Sequence, residues 1–326
     1  MNTNTLQKKL NDFHKGKASF FIDNFSDIAG NQFPGEFNVS GFHKEILLLS
    51  DVSKSIWGID RCLRVQDKID DCHSFLFHMA IYAESIDLKE KYSNPFTDDR
   101  FKQYQTKILH QFLQILKLFG VKMTNVEATC SDGIVIGGTI EGRDKLLKKK
   151  YTFPSDTTSI EFLKNKIKLY PIKSIANIDI NASEGSLVGP RLEVAYNGIE
   201  IGTIVFNCFK LTQGKLVPIN YIFGYAIGIE RLAAALSKKA FLDIIPRYKQ
   251  AKNIILKSTS AAKSSLFKEE LTNIVFTSEA IATIPNIVTK KQKERLGELK
   301  KSLLKNCLNL SIGEDTTRAL INHFKK

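Results

Sequence analysis

LVPINYIFGYAIGIERLAAAL, Leu216 to Leu236, is a strand pattern that passes through Gly224, Ala226 and Gly228 straight into a helix pattern. Such a join can hold a phosphate. Glycines let a ligand approach the main chain closely, and a helix N-terminus presents unpaired N–H donors to an anion. Arg231 in the first turn adds a planar cation suited to phosphate oxygens. Neither a Gly-Lys-Ser/Thr ending nor a G-x-G-x-x-G spacing is present, so the stretch is neither a Walker-type loop nor a dinucleotide fingerprint.

At 326 residues and 43% hydrophobic content, the chain can bury one large core and has length for a smaller second unit. No apolar run reaches bilayer-spanning length. The N-terminal MNTNTLQKKLNDFHKGK has no signal-peptide core, so a cytoplasmic chain with no membrane partner is expected. Cys62, Cys72, Cys130, Cys208 and Cys307 are scattered, with no C-x-x-C pair or zinc spacing, and read as free thiols. The formal charge of +13 points to an anionic partner such as nucleic acid or nucleotide. From Ile245 onward 16 Lys and Arg stand against 7 Asp and Glu, which concentrates the excess in the last quarter of the chain.

Working outward, Thr5 to Asn24 reads as a leading helix and Gly30 to Gly41 as a stretch rich in turn formers. SIWGIDRCLRV from Ser55 and HSFLFHMAIYAE from His73 read as two strands of an antiparallel hairpin. Asp98 to Phe119 has helical spacing, with acidic residues in front and Gly120 behind. Between Val121 and Lys215, short strands alternate with Gly, Asn, Ser and Asp, which is the pattern of an antiparallel sheet. Pro246 marks a boundary, and the rest is helical. The fold class expected is α+β: a mixed, mainly antiparallel sheet flanked by helices over residues 1–244, then a basic helical C-terminal domain over 245–326.

Candidate site residues sit on the strands. Arg64 and Arg61 project to opposite faces of one strand by the period of two. Phe75 and Phe77 share a face on the returning strand, where a ring can stack on a base or simply fill the core. Glu200 and Thr203, in GIEIGTIVFNCF, offer hard oxygen ligands of the kind that hold magnesium. His73 and His78 read as satisfied core histidines beside this region.

Taken together, these stretches resemble the catalytic domain of class II aminoacyl-tRNA synthetases, and within them the alanine–tRNA ligases. Gly224 to Leu236 is similar to the third signature motif, whose Arg holds the γ-phosphate of ATP, so the resemblance gives Arg231 that role and places Gly228 beside the nucleotide. DRCLRVQDK, from Asp60 to Lys68, is similar to Q-R-C-[VI]-R-A-G-G-K of the second motif. Arg64 then contacts the α-phosphate and carboxylate, and Lys68 matches the loop Lys. HSFLF resembles H-T-F-F-E and puts Phe75 or Phe77 under adenine. GPRLEV, from Gly189 to Val194, is similar to G-P-C-T-E-I, which places Glu193 at the nucleotide. EIGTIVF, from Glu200 to Phe206, is similar to E-I-W-N-I-V-F and makes Glu200 and Thr203 magnesium or ATP ligands.

The resemblance implies an adenylate-forming ligase using ATP and Mg2+, with catalysis by alignment and charge neutralisation rather than by a general base. It covers roughly Thr5 to Ser237 and implies a form lacking the editing domain. The chain departs from the family at the substrate pocket. The Asp that pairs with the amino group of alanine is replaced by Gly224, followed by Tyr225, and the pocket Trp and Asn become Gly202 and Thr203. These changes enlarge the pocket and argue against alanine. The second-motif loop is short and carries Asp67, Asp70 and Asp71, which repel the phosphates of a tRNA end. Three readings follow: adenylation with transfer to tRNA, adenylation with transfer to a carrier protein or small molecule, and a non-catalytic RNA-binding paralogue. Class II enzymes are commonly dimers, so a homodimer stays open.

Overall fold

In the computed structural model the described residues are 3–17, 21–22, 36–39, 46, 49–50, 52–64, 76–87, 95–140, 142–180, 184–258, 265–283 and 290–325. The chain enters through helix α1 (Thr3–His14) and short strands β1 (Phe21–Ile22) and β2 (Glu36–Val39). The expected hairpin follows as β3 (Ser55–Arg64) and β4 (Leu76–Ile86), paired antiparallel with Trp57 opposite Tyr82. Helix α2 (Asp99–Leu118) starts where its Asp98 cap accepts from the Arg100 N–H.

Strands β5 (Val126–Ile136) and β6 (Tyr151–Ser155), helix α3 (Thr157–Leu163), and strands β7 (Lys168–Ile172) and β8 (Ile178–Asp179) come next. They lead to a meander of long strands, β9 (Leu187–Tyr196), β10 (Ile199–Thr212) and β11 (Lys215–Gly228). Helices α4 (Ile229–Ser237), α5 (Phe241–Ile244), α6 (Pro246–Ser258), α7 (Ser265–Thr283), α8 (Lys290–Asn309) and α9 (Glu314–Phe324) complete the chain.

The strands form one sheet in the order β1-β3-β4-β11-β10-β9-β5-β6, with β2 on β3, β7 on β5 and β8 on β9. Pairing is antiparallel except for β1 with β3 and β5 with β7. The fold is therefore α+β, a mainly antiparallel sheet flanked by helices and followed by C-terminal helices. Among the described residues no helix is long and apolar enough to cross a membrane.

Alternation divides the sheet into two unlike faces. Trp57, Tyr82, Ile204, Phe206, Phe223 and Tyr225 lie buried with Leu6 and Leu10 of α1 and Ile108, Phe112 and Leu116 of α2. On the opposite face Ile56, Ile81, Ala83 and Ile222 pack with Leu49, Leu187 and Ile219. Ala226 packs against the edge of that cluster, and beyond it the second face is only partly covered, at Arg191, Glu193, Thr203 and Val205. A separate apolar cluster joins Phe241, Ile245, Tyr248, Ile274, Leu303 and Leu320 of the C-terminal helices, and it also takes in Ala234 from α4.

One expected element ends early. The leading helix stops at His14, where the Lys17 N–H turns back to the His14 carbonyl and Gly16 takes a φ of +80°, a conformation that ends helices. The segment it was expected to span next contains β1, and Asn24 lies outside the described residues. Glu36–Val39, within the stretch rich in turn formers, is a strand because it finds a partner in β3.

Candidate functional site

The partly covered face and its end bring together half of the sequence-derived candidates: Glu193, Glu200, Thr203, Gly224, Gly228 and Arg231. Thr203 pairs with Ala226 on β11 and with Glu193 on β9, and Val205 pairs with Gly224 and Arg191. In β-sheets, directly opposed residues share a face. Gly224, Ala226, Thr203 and Glu193 therefore line one strip across three strands. Arg191 Nη2 donates to Glu193 Oε1 at 2.8 Å and fixes that carboxylate.

At the end of the strip, β11 becomes α4 without a loop, with Gly228 as the cap position. Arg231 reaches back across Gly228, where an added Cβ would stand 3.4 Å from Arg231 Cδ. Its Nη1 lies 3.1 Å from Glu200 Oε2, across a pair in which the Arg side chain is 11% exposed and the Glu side chain 41%. A bulge between Glu200 and Gly202 puts Ile201 into the helix-covered core and turns Glu200 toward Arg231. A half-exposed carboxylate at a cationic helix start, two strand steps from a second carboxylate, is a suitable seat for a polyanion and its counterion.

Two pocket candidates lie elsewhere. Tyr225 is on the helix-covered face, 1% exposed, and its hydroxyl donates to His14 Nε2 at 2.6 Å. Gly202 pairs with Ile227 and Val194, both in the helix-covered core, and a Cβ there would stand 2.3 Å from the Ala226 carbonyl oxygen. Its small size is set by the approach of β11 and not by pocket volume. The side chains of Arg64 and Phe77 are outside the described residues, although both positions lie on paired strands, Arg64 opposite Glu36 and Phe77 opposite Cys62. Lys68 and Phe75 lie wholly outside the described residues.

Metal fitness rests on the donor set. Among the described residues no group of three or more His, Cys, Asp or Glu can hold an ion. Glu200, Glu193 and the Thr203 hydroxyl are hard oxygen donors on one face. That set fits Mg2+, which is usually held by one or two carboxylates together with substrate phosphates.

Sequence reasoning missed what anchors Arg231. Its neighbour Glu230 is fully buried and accepts from the His78 main-chain N–H at 2.9 Å and from His78 Nδ1 at 2.5 Å. Arg247 of α6 adds an Nη2 contact at 3.4 Å and spans to Glu279 of α7 at 2.6 Å, where the Tyr248 hydroxyl also donates. Burial alone would raise the Glu230 carboxyl, but the charge and hydrogen bonds of His78, with Arg247, outweigh it and hold the group at about 2. Burial pushes Glu279 up, against the pull of Arg247. The signal available was a Glu in the first turn of an otherwise apolar helix pattern, next to an Arg.

No protein-family model and no curated protein matches this chain. Among solved structures, the chain is similar to Desulfitobacterium hafniense PylSc, a pyrrolysyl tRNA synthetase, at 12% identity and a TM-score of 0.39, over 74% of this chain and 71% of that one. It is also similar to Entamoeba histolytica asparaginyl-tRNA synthetase in complex with asparaginyl-adenylate, at 9% identity and a TM-score of 0.42, over 74% of this chain and 64% of that one.

Proposed function

We propose that the chain is an adenylate-forming ligase of the class II synthetase type, alanine–tRNA ligase-like in its motifs, that activates an amino acid with ATP. The observation that carries this reading is the Arg231–Glu200 pair, set at the end of the strip of Gly224, Ala226, Thr203 and Glu193 on the partly covered sheet face. A nucleotide needs a floor, a cation at its phosphate end and an oxygen donor for its metal, and this reading assigns Gly224 with Ala226, Arg231 and Glu200 to those three parts.

In this reading residues 1–244 form the catalytic unit and 245–326 a basic helical domain. Arg231 neutralises the terminal phosphates, and Glu200 with Thr203 and Glu193 supplies oxygen donors for Mg2+, which would offset charge on the phosphates. Arg64 is assigned the acid's carboxylate and the α-phosphate. A carboxylate oxygen of the acid forms a bond to the α-phosphorus, the bond to pyrophosphate breaks, and no proton is transferred. The chain's contribution is alignment and preorganised charge. Arg247 and Glu279 tie α4 to the C-terminal helices, so a partner such as tRNA that engages those helices would act next to Arg231. Transfer to tRNA is the favoured second step, because the basic excess lies in those same helices.

The test is ATP binding with Mg2+ by calorimetry. Wild-type protein binds, Arg231→Ala loses binding by 30-fold or more, and tight RNA binding without nucleotide affinity would replace this reading with the non-catalytic one.

A further inference from the structure

One largely buried row of the partly covered face lies beyond the nucleotide strip. Asp179 of β8 lies opposite Gly189 of β9, at the place where the β9–β10 ladder is interrupted between Val205 and Phe209. Gly189 approaches β10 so closely that a Cβ would stand 2.0 Å from the Phe206 oxygen and 2.7 Å from Asn207 Cα. With no side chain between them, Asn207 Nδ2 donates to Asp179 Oδ2 at 2.9 Å. Asn177, just before β8, donates to Thr129 Oγ1 at 2.9 Å and to the Arg191 carbonyl at 3.3 Å.

These bonds fix both amide orientations, with nitrogen on the protein side. The opposite ends, Asn207 Oδ1 and Asn177 Oδ1, are buried without a hydrogen-bond partner, as is Arg191 Nε. Asn207 is 2% exposed and Asn177 fully buried. An unpaired buried polar atom costs about 1–3 kcal/mol, so two unpaired acceptors, Asn207 Oδ1 beside the Asp179 carboxylate and Asn177 Oδ1 two residues before it in the chain, together with the unpaired donor Arg191 Nε, mark a place that a ligand completes.

The order along β10 places this row relative to the chemistry. Glu200 stands at the phosphate end, then Thr203 and Val205, then Asn207, so the Asp179–Asn207 pair is at the far end from Arg231. On the reading above, that end receives the part of the acid remote from its reacting carboxyl.

We propose that Asp179 and Asn207 determine specificity by accepting a hydrogen bond from a nitrogen-borne donor, an ammonium or amide N–H, in the side chain of the activated acid. Alanine, with a methyl group, leaves every one of these acceptors unpaired. A site built to hydrogen-bond its substrate rejects the analogue lacking the donor by roughly 10⁴-fold, whereas an extra methylene changes affinity far less.

The test is a thermal-stabilisation screen of the whole protein, with and without ATP–Mg2+, using alanine and isosteric pairs: asparagine with leucine, glutamine with methionine, lysine with norleucine. The ATP shift reports the nucleotide reading separately, because the acids are also tested alone. The expected result is stabilisation by at least one donor-bearing acid, at least 100-fold tighter than its apolar partner and than alanine, with that preference lost in Asp179→Asn and Asn207→Leu. The ammonium and amide arms identify which nitrogen donor is taken. Equal stabilisation by alanine or an apolar partner, retention of the preference in Asp179→Asn, or no response to any donor-bearing acid would overturn the assignment. The near-isosteric Asp179→Asn, with an unliganded midpoint close to wild type, guards against a folding artefact.

Discussion

Glu230 holds His78 twice, through the main-chain N–H at 2.9 Å and the ring Nδ1 at 2.5 Å, and so locks the first turn of α4 onto β4. The residue after it, Arg231, owes its placement to that double bond. A carboxylate buried between an imidazole and the Arg247 guanidinium is expensive to desolvate, and it is more expensive to leave half-paired.

Replacing Glu230 with Gln should therefore cost roughly 3–5 kcal/mol of stability at neutral pH, read as a lower urea midpoint. The carboxyl is held at about 2 in the folded chain against an ordinary value of 4.5. Its contribution is complete above pH 4.5 and is lost as pH falls toward 2. The gap between wild type and Glu230→Gln should narrow across that window, and a constant gap down to pH 2 would show that the charge is not what matters.

His14 gives a second pH signature, with the opposite chemistry and the same sign. It is buried, donates from Nδ1 to the Leu10 carbonyl at 2.7 Å, accepts the Tyr225 hydroxyl, and stacks on Trp57 with ring centroids 3.6 Å apart. Burial lowers its pKa from 6.5 to about 4, against the raising effect of the Leu10 carbonyl. Between those values the unfolded chain takes a proton that the folded chain refuses. The stabilisation is thus complete above pH 6.5 and is lost as pH falls to 4, about 3 kcal/mol in all. Trp57 is the sole tryptophan, so its fluorescence should titrate near pH 4. A midpoint at 6.5 would mean that His14 is solvated.

Gly202 offers a packing test. Gly202→Ala brings a methyl group to 2.3 Å from the Ala226 carbonyl oxygen, which belongs to backbone and cannot swing away. The variant should lose about 2 kcal/mol or more by strand displacement, measured by denaturant unfolding. An unchanged midpoint, together with altered acid preference, would restore Gly202 to a pocket role.

Much of this architecture is legible in the sequence. The β3–β4 hairpin, the α2 start at Asp98 and the β11–α4 join are local features, written in alternation, capping residues and period. Tyr225 was also within reach, since it neighbours Gly224 and the period of two sends adjacent residues to opposite faces. What sequence could not supply was contact across distance. Asp179 and Asn207 are 28 positions apart and meet only because Gly189 vanishes between them. Arg247 and Glu279 look like ordinary helix charges until the fold brings Arg247 between Glu230 of α4 and Glu279 of α7.

The most direct test of the central claim is amino-acid-dependent exchange of labelled pyrophosphate into ATP, across the proteinogenic acids and a set of non-standard ones, with Arg231→Ala as control. Exchange supported by an acid with a nitrogen donor in its side chain, reduced at least 30-fold in Arg231→Ala, is the predicted result. Folded protein that catalyses no exchange with any acid, or exchange indifferent to Arg231→Ala, would contradict it.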